Sequence, residues 1–260
     1  MKKIEASTYE VITFENDGMA RPRISIVIPT YNEEKNIGRL LVKLNHQTIP
    51  SEEFEIIIVD GASTDRTREI AEAMGAMVIM QKRNGISGAR NDGFLKAKAD
   101  FIATTDADCI VPNRWLEFFL EDFQDSNVVA VTGPDGPIEK NWKSNLIYFI
   151  FRFVGQGSAL FNLYGTVGAN SAFRKSAFLK CGGYKPLPHN DDVEIAFRIK
   201  KLGKIVYDIR TFVNLSVRRL EQKGYLNVLM NWLKGDLYLI LGKEVKAKER
   251  YEKQSYERIK

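Results

Sequence analysis

Only two of the 260 residues are cysteine, Cys109 and Cys181. They form no metal-ligand spacing and no disulfide framework, which favours a reducing compartment and a cytoplasmic location. No apolar run is long enough to cross a bilayer, so no transmembrane helix is expected. The opening MKKIEASTYEV has lysines but no apolar stretch after them, so no signal peptide is expected either. A Gly-x-Gly-x-x-Gly loop after a strand is missing, which argues against an NAD-dependent dehydrogenase. Internal repeats are missing too. Neither sign of charge dominates: 38 basic residues face 33 acidic ones, a formal net charge of +5. That balance suits an anionic ligand or an anionic membrane surface, but it lacks the dense basic patch that nucleic acid requires.

What is present is the composition of a globular domain, 44% hydrophobic and 27% charged. The length suits one large α/β domain. Short apolar, β-branched runs at 24–28, 54–59, 77–80, 101–105, 128–132 and 204–207 read as strands. Helical spacing appears at 36–44, where Ile37, Leu40, Leu41 and Leu44 share a face. Further helices are expected over 66–74, 89–98, from Pro112 through Phe119, over 175–181 and over 191–202. Asp65 can cap the helix at 66–74, and Gly75 ends it. Strands alternating with helices argue for a parallel, doubly wound sheet. The stretch 166–173 is rich in small residues and reads as extended, while 146–163 is apolar and aromatic.

Polar segments follow the strands. PTYNEE (29–34) ends the first, VDGASTD (59–65) the second and TTDADC (104–109) the fourth. Ligands bind at the carboxyl ends of an open parallel sheet, so Asp60, Asp106 and Asp108 gather at one edge. Clustered carboxylates repel one another, and a cation is their natural partner. Asp106 and Asp108 stand one residue apart at a strand end and can hold Mn²⁺ or Mg²⁺, leaving positions for phosphate oxygens. For that pair alone a solvated acidic turn is the bland alternative. Asp60 can accept from a base or a ribose hydroxyl, or it builds the turn with Ser63. Thr30 offers a hydroxyl to a base, and Tyr31 offers an aromatic face or simply packs. Glu33 either joins this nucleotide-sugar-binding group or, like Glu34, favours the first turn of the next helix.

The segment KRNGISGARNDG (82–93) places Gly85 and Gly88 where backbone can approach closely. Lys82, Arg83 and above all Arg90 can face phosphate. In HNDDVE (189–194), one of Asp191 and Asp192 is expected to cap a helix and the other to serve as a general base toward an acceptor hydroxyl. His189 is incidental. VGAN (167–170) lies between the sheet and this helix, where Asn170 can line an acceptor pocket. Together these residues point to a metal-dependent enzyme acting on a nucleotide with a diphosphate.

In this order and at these intervals, PTYNEE, VDGASTD, ARNDG, TTDADC and NDDVE resemble the family 2 inverting glycosyltransferases, over about residues 23–203 and weakly to 224. Each motif alone is soft; five in register are specific. The resemblance implies the GT-A (nucleotide-diphospho-sugar transferase) fold: a Rossmann-like, doubly wound, mostly parallel sheet flanked by helices, here with a C-terminal helical extension. It implies that Thr30, Tyr31 and Asp60 hold the nucleoside, that Asp106 contacts ribose or metal, that Asp108 binds the metal, and that Asp192 is the base. The family's acid pair is usually Glu-Asp, and this chain has Asp191 at the Glu position. Many GT-A enzymes place a histidine ligand in the C-terminal part; this chain has NLSVRRL (214–220), so Arg218 or Arg219 is expected at the diphosphate. The family's membrane-processive members carry Q-x-x-R-W and transmembrane helices, and neither is expected here.

The expected organisation is an N-terminal arm at 1–22, a catalytic domain at 23–220 and an apolar helix with a charged tail at 221–260. The catalytic domain divides into a nucleotide-sugar half, 23–133, and an acceptor half, 134–220. The expected reaction moves a single sugar from a nucleotide-diphosphate sugar to a hydroxyl or phosphate acceptor. The rivals are a sugar-1-phosphate nucleotidylyltransferase and a non-catalytic sugar-nucleotide-binding module. On the expected helix 225–241, Asn227, Asn231 and Lys234 form a narrow polar stripe. The broad apolar remainder suits burial on the protein, a homodimer interface, or peripheral contact with a membrane surface anchored by Tyr225 and Trp232. The stretch 146–163 would add a second contact, and the membrane case implies an acceptor such as a polyprenyl phosphate or a lipid-linked saccharide.

Overall fold

The structure is a computed structural model that describes residues 21–149, 153, 165–187, 190–225, 227, 228, 230, 231 and 234. The arm before residue 21, most of 150–164, His189, the charged tail and much of 225–241 lie outside the described residues.

Seven strands form one sheet in the order β3-β2-β1-β4-β8-β6-β9. They are β1 (Ile24–Thr30), β2 (Phe54–Asp60), β3 (Met77–Met80), β4 (Phe101–Thr104), β6 (Val128–Thr132), β8 (Ser171–Arg174) and β9 (Lys204–Tyr207). β8 runs antiparallel to both its neighbours, and every other pairing is parallel. The expected strands are all present, and 171–174 of the stretch read as extended supply β8. A small second sheet was not legible in the sequence. Its strands β5 (Cys109–Ile110), β7 (Asp135–Pro137) and β10 (Val213–Leu215) are too short to show a period.

The strands bury both faces, as parallel strands under helices do. Ile24, Ile26 and Ile28 of β1 face one core with α1 (Ile37–Asn45) and with Trp115 and Phe119 of α4 (Trp115–Asp122). Val27 faces the other core with Phe94 of α3 (Gly85–Lys96), Phe178 of α6 (Lys175–Lys180) and Ile195 of α7 (Asp191–Ile199). A short helix α2 (Thr67–Ala73) follows β2, helical residues 142–149 make α5, and α8 (Arg218–Lys223) follows β10. Residue 228 of the expected C-terminal helix packs against α5 and α8 through Val228.

α3 begins four residues earlier than expected, because Gly85 and Gly88 belong to it. A Cβ at Gly88 would lie 2.6 Å from the Arg83 carbonyl oxygen, so this glycine accommodates the protein's own backbone. At Gly93 a Cβ would lie 2.3 Å from Val27 Cγ1, which seats α3 directly on the sheet. Gly93→Ala is therefore expected to destabilise the fold. Overpacking costs roughly 1–3 kcal/mol, against about 1 kcal/mol gained in helix propensity. A lowered urea midpoint is the readout; an unchanged or raised midpoint would show that α3 can move off the sheet freely.

β1 and β4 pair only from Ile24↔Phe101 to Val27↔Thr104. Beyond that the chains part, and Pro29, which lacks an N–H, sits where β4 no longer needs one. The strand order reverses between β1 and β4, so this opening is the crevice in which such sheets bind ligands.

Candidate functional site

Two loops form one wall of the crevice and are stitched together. The Asn32 N–H donates to Ser63 Oγ, the Thr64 N–H to Asn32 Oδ1 and the Glu33 N–H to Thr67 Oγ1. Asn32 and Ala62 have φ of 53° and 69°, a left-handed turn that costs a non-glycine residue free energy and is held by these bonds. Asp60 is fully buried, and its carboxylate accepts the Ser63 N–H at 2.8 Å, so it does build the turn. Asp65 Oδ1 accepts the Thr67 N–H at the start of α2, as its capping role requires. Thr30 ends β1 with its hydroxyl buried and without a hydrogen-bond partner, and Tyr31 beside it is half-buried.

The acidic centre lies just beyond β4. Asp106 is half-exposed, and its Oδ1 accepts from Arg90 Nη2 at 3.0 Å. Asp108 is more enclosed. Burial, then the charges of Asp106 and Glu33, push its carboxyl up to about 7, while Arg218 opposes them. Arg218 Nη2 donates to Glu33 Oε1 at 2.7 Å and lies 3.4 Å from Asp108 Oδ2. Glu33 thus positions an arginine 185 positions away, in addition to accepting from Asn36 Nδ2 at the start of α1. The side chain of Arg219 lies outside the described ones.

Arg90 joins the two halves of the site. Only 3% exposed, it reaches from α3 to Asp106 on one side and to Asp191 on the other, at 3.6 Å. Burial works against its charge, but the Asp106 and Asp191 carboxylates outweigh that and hold its pKa above the ordinary value. Tyr184 lies beneath the guanidinium, and Gly168 leaves it room, since a Cβ there would sit 2.7 Å from Nη2. Arg83 is paired with Asp92, which also takes the N–H groups of Lys82 and Arg83.

At the start of α7 the expected cap is corrected: Asn190 is the N-cap, and Asp191 and Asp192 both lie in the first turn. Asp192 is half-buried, and its oxygens accept the Gly168 and Val193 N–H groups, both at 2.9 Å. Asp191 is buried against Arg90, with Oδ2 making no hydrogen bond. Both carboxyls are raised: burial is the largest cause for each, with Arg90 opposing it.

One expectation is corrected. Asn170 is fully buried, accepts from Trp115 Nε1 at 2.9 Å and donates to the Pro134 and Thr211 carbonyls at 2.9 Å each. It locks α4 to the small sheet and has no donor left for an acceptor pocket. Asn170→Ala would orphan the Trp115 N–H and the Thr211 carbonyl, each at a cost of roughly 1–3 kcal/mol, while the Pro134 carbonyl keeps the Val213 N–H. A sharply lower urea midpoint is expected; normal stability with lost activity would restore the pocket role.

The structure therefore gathers Glu33, Arg90, Asp106, Asp108, Asp191, Asp192 and Arg218 along one crevice, and places Asn170 in the core beside it. Among the described residues no three His, Cys, Asp or Glu side chains form a closed metal cage. The donor set nevertheless fits a hard cation, because the Asp108 carboxyl is raised first by burial and then by the charges of Asp106 and Glu33, which a cation would offset.

A mostly parallel α/β sheet with an acidic crevice at its reversal point defines a nucleotide-binding class of fold. The chain belongs to glycosyl transferase family 2, whose family model matches residues 25–182. It is 30% identical over 242 residues to the probable glycosyltransferase YdaM of Bacillus subtilis, covering 85% of this chain and 56% of that one. It is 38% identical over 102 residues to a dolichyl-phosphate hexose transferase of Haloferax volcanii, covering 39% of this chain and 43% of that one. The chain thus spans about half the length of these curated relatives. Its fold matches the mannosyltransferase PcManGT of Pyrobaculum calidifontis, in complex with GDP-Man and Mn²⁺, with a TM-score of 0.64, 22% identity, and coverage of 77% of this chain and 58% of that one. The fold is GT-A, as the motifs led us to expect.

Proposed function

We propose that the chain is an inverting, metal-dependent glycosyltransferase of the hexosyltransferase type, moving one sugar from a nucleotide-diphosphate sugar to a hydroxyl or phosphate acceptor. The observation that carries this reading is Arg90, which ties the acidic pair after β4 to the acidic pair at the start of α7 across one crevice. Family membership supports sugar transfer. The GDP-Man and Mn²⁺ of the Pyrobaculum structure support the donor and the cation, and the Haloferax relative supports a lipid-linked acceptor, a polyprenyl phosphate or a lipid-linked saccharide.

In this reading the stitched loops hold the nucleoside, with Thr30 and Tyr31 lining them and the buried Asp60 fixing their turn. Asp106 and Asp108 would hold Mn²⁺ or Mg²⁺, and Arg218 would meet the diphosphate from α8. A cation held there would neutralise charge on the departing diphosphate. Asp192 takes the proton of an acceptor hydroxyl. The acceptor oxygen bonds to the anomeric carbon as the bond from that carbon to the diphosphate oxygen breaks, and the electron pair leaves with the nucleoside diphosphate. Asp192 suits the task better than Asp191, since it is the more accessible of the two and is not ion-paired with Arg90. Its two backbone bonds fix its orientation without filling all its lone pairs.

A sugar-1-phosphate nucleotidylyltransferase would need a basic, glycine-rich grip after β1, and PTYNEE is acidic. A binding module without turnover would share the donor site. Thermal stabilisation by, and hydrolysis of, UDP-, GDP- and dTDP-sugars with Mn²⁺ tests all three. One donor is expected to stabilise the protein and be turned over. Stabilisation without turnover on any acceptor leaves the binding module; no stabilisation by any donor overturns the reading.

A further inference from the structure

One apolar face of the protein is open. Trp142, Leu146, Phe149 and Phe153 are 72%, 50%, 67% and 73% exposed. They follow one another at steps of four, three and four residues, the spacing of a single helix face. Single exposed apolar residues are ordinary, but four large ones in a line, three of them aromatic, mark a contact surface. The other side of α5 is occupied. Tyr148 is buried with Val217, Leu220 and Val228, and Asn141 Nδ2 donates to Glu221 and to the Tyr225 hydroxyl. The open face is therefore fixed relative to α8, whose Arg218 reaches Glu33 and Asp108. A surface that receives it lies one helix layer from the acidic centre.

Charge identifies that surface. Residues 218–260 hold 11 Lys and Arg against 6 Asp and Glu, while residues 1–217 hold 27 of each sign. The whole formal charge of +5 thus resides in the chain from α8 onward. At the start of the open face Lys140 and Lys143 are exposed, with Lys143 Nζ 5.7 Å from the centre of the Trp142 ring. Two acids lie beside them and keep their charge, held in place by neutral donors: Glu139 accepts from Ser216 and Val217, and Glu221 from Asn141. A second copy docked on the same face would bring these lysines against their own images. An anionic bilayer meets them with phosphate and takes the rings at its acyl boundary.

We propose that the face made by Trp142, Leu146, Phe149 and Phe153 docks the protein on anionic lipid bilayers and sets the acidic crevice at the interface. Only the use of this docking, delivery of a lipid-linked acceptor, rests on the transfer reading; the docking itself stands on α5 and the charge distribution.

Co-sedimentation of the full chain with phosphatidylglycerol and phosphatidylcholine vesicles tests it. Binding is expected to anionic vesicles at low salt, weakening with salt and in pure phosphatidylcholine. Phe149→Glu combined with Phe153→Glu is expected to lower the partition coefficient by about tenfold or more. Its melting temperature and nucleotide affinity should match those of the wild type. Acyl chains carrying bromine should quench part of the tryptophan emission, and Trp142→Phe should remove that part. Wild type left in the supernatant at low salt overturns the proposal, as does undiminished binding by the folded double variant. A dimer in solution that the double variant dissociates assigns the face to a second copy and also overturns it. Vesicle binding that persists where no nucleotide sugar binds sinks the transfer reading and leaves the docking intact.

Discussion

Asp192→Asn is expected to keep the fold and donor affinity and to slow transfer to a hydroxyl acceptor roughly 10²- to 10⁴-fold, the range for loss of a general base. The amide keeps the shape of the carboxylate, and its oxygen can still accept one of the two N–H groups, from Gly168 or Val193. What it loses is the ability to take a proton. Asp191→Asn makes the informative comparison. Asp191 faces Arg90 rather than the opening, so its loss should disturb Arg90 and through it Asp106. A weaker donor affinity is expected there, with a smaller fall in the rate at saturation. Rates for both variants at saturating donor, beside donor dissociation constants, decide the matter. If Asp191→Asn stops transfer while Asp192→Asn proceeds normally, the roles are reversed. Normal rates in both would remove the base from the mechanism.

The parts of this arrangement that were legible in the sequence are those set by local pattern. β1 and β2 declare themselves because ISIVI and FEIIIV are apolar on both faces, and Asp60 declares itself because it stops the second run. The illegible parts are set by partners far along the chain. Arg90 reads as a phosphate ligand in a glycine-rich loop, yet the fold turns that loop into the first turns of α3 and points the guanidinium at two carboxylates. Glu33 reads as a helix-start acid, and only closure of α8 over the crevice shows its bond to Arg218. Asn170 reads as a polar residue near the acceptor, but no local signal reveals that Trp115 needs its oxygen. The antiparallel direction of β8 is equally silent, since SAFR has the same apolar content either way. Burial pattern fixes which residues face inward; it does not fix which buried polar groups find one another.

Asp108→Asn is expected to abolish Mn²⁺-dependent binding of the nucleotide sugar, and its pH dependence separates a metal ligand from a packing residue. In the metal-free protein the Asp108 carboxyl is pushed up to about 7, first by burial and then by Asp106 and Glu33, from an ordinary value of 3.8. Between those values the folded state holds a proton that the unfolded state has released. Metal-free stability contributed by this group therefore falls as pH rises through the window, because the unfolded state binds fewer protons. A divalent cation removes the cause, since it takes the place of that proton. The rise in melting temperature on adding Mn²⁺ is accordingly expected to be small near pH 5 and to grow toward pH 8. In Asp108→Asn the cation should stabilise little at either pH, and the nucleotide sugar should bind equally with and without chelator. Arg218 sharpens the expectation, because its guanidinium already shields Glu33 and Asp108 in the metal-free state. Shortening it, as in Arg218→Ala, should tighten Mn²⁺ binding without nucleotide while weakening binding of the diphosphate. A wild-type Mn²⁺ shift in Asp108→Asn, unchanged from pH 5 to pH 8, would place the cation elsewhere and leave the acidic pair after β4 without its assigned role.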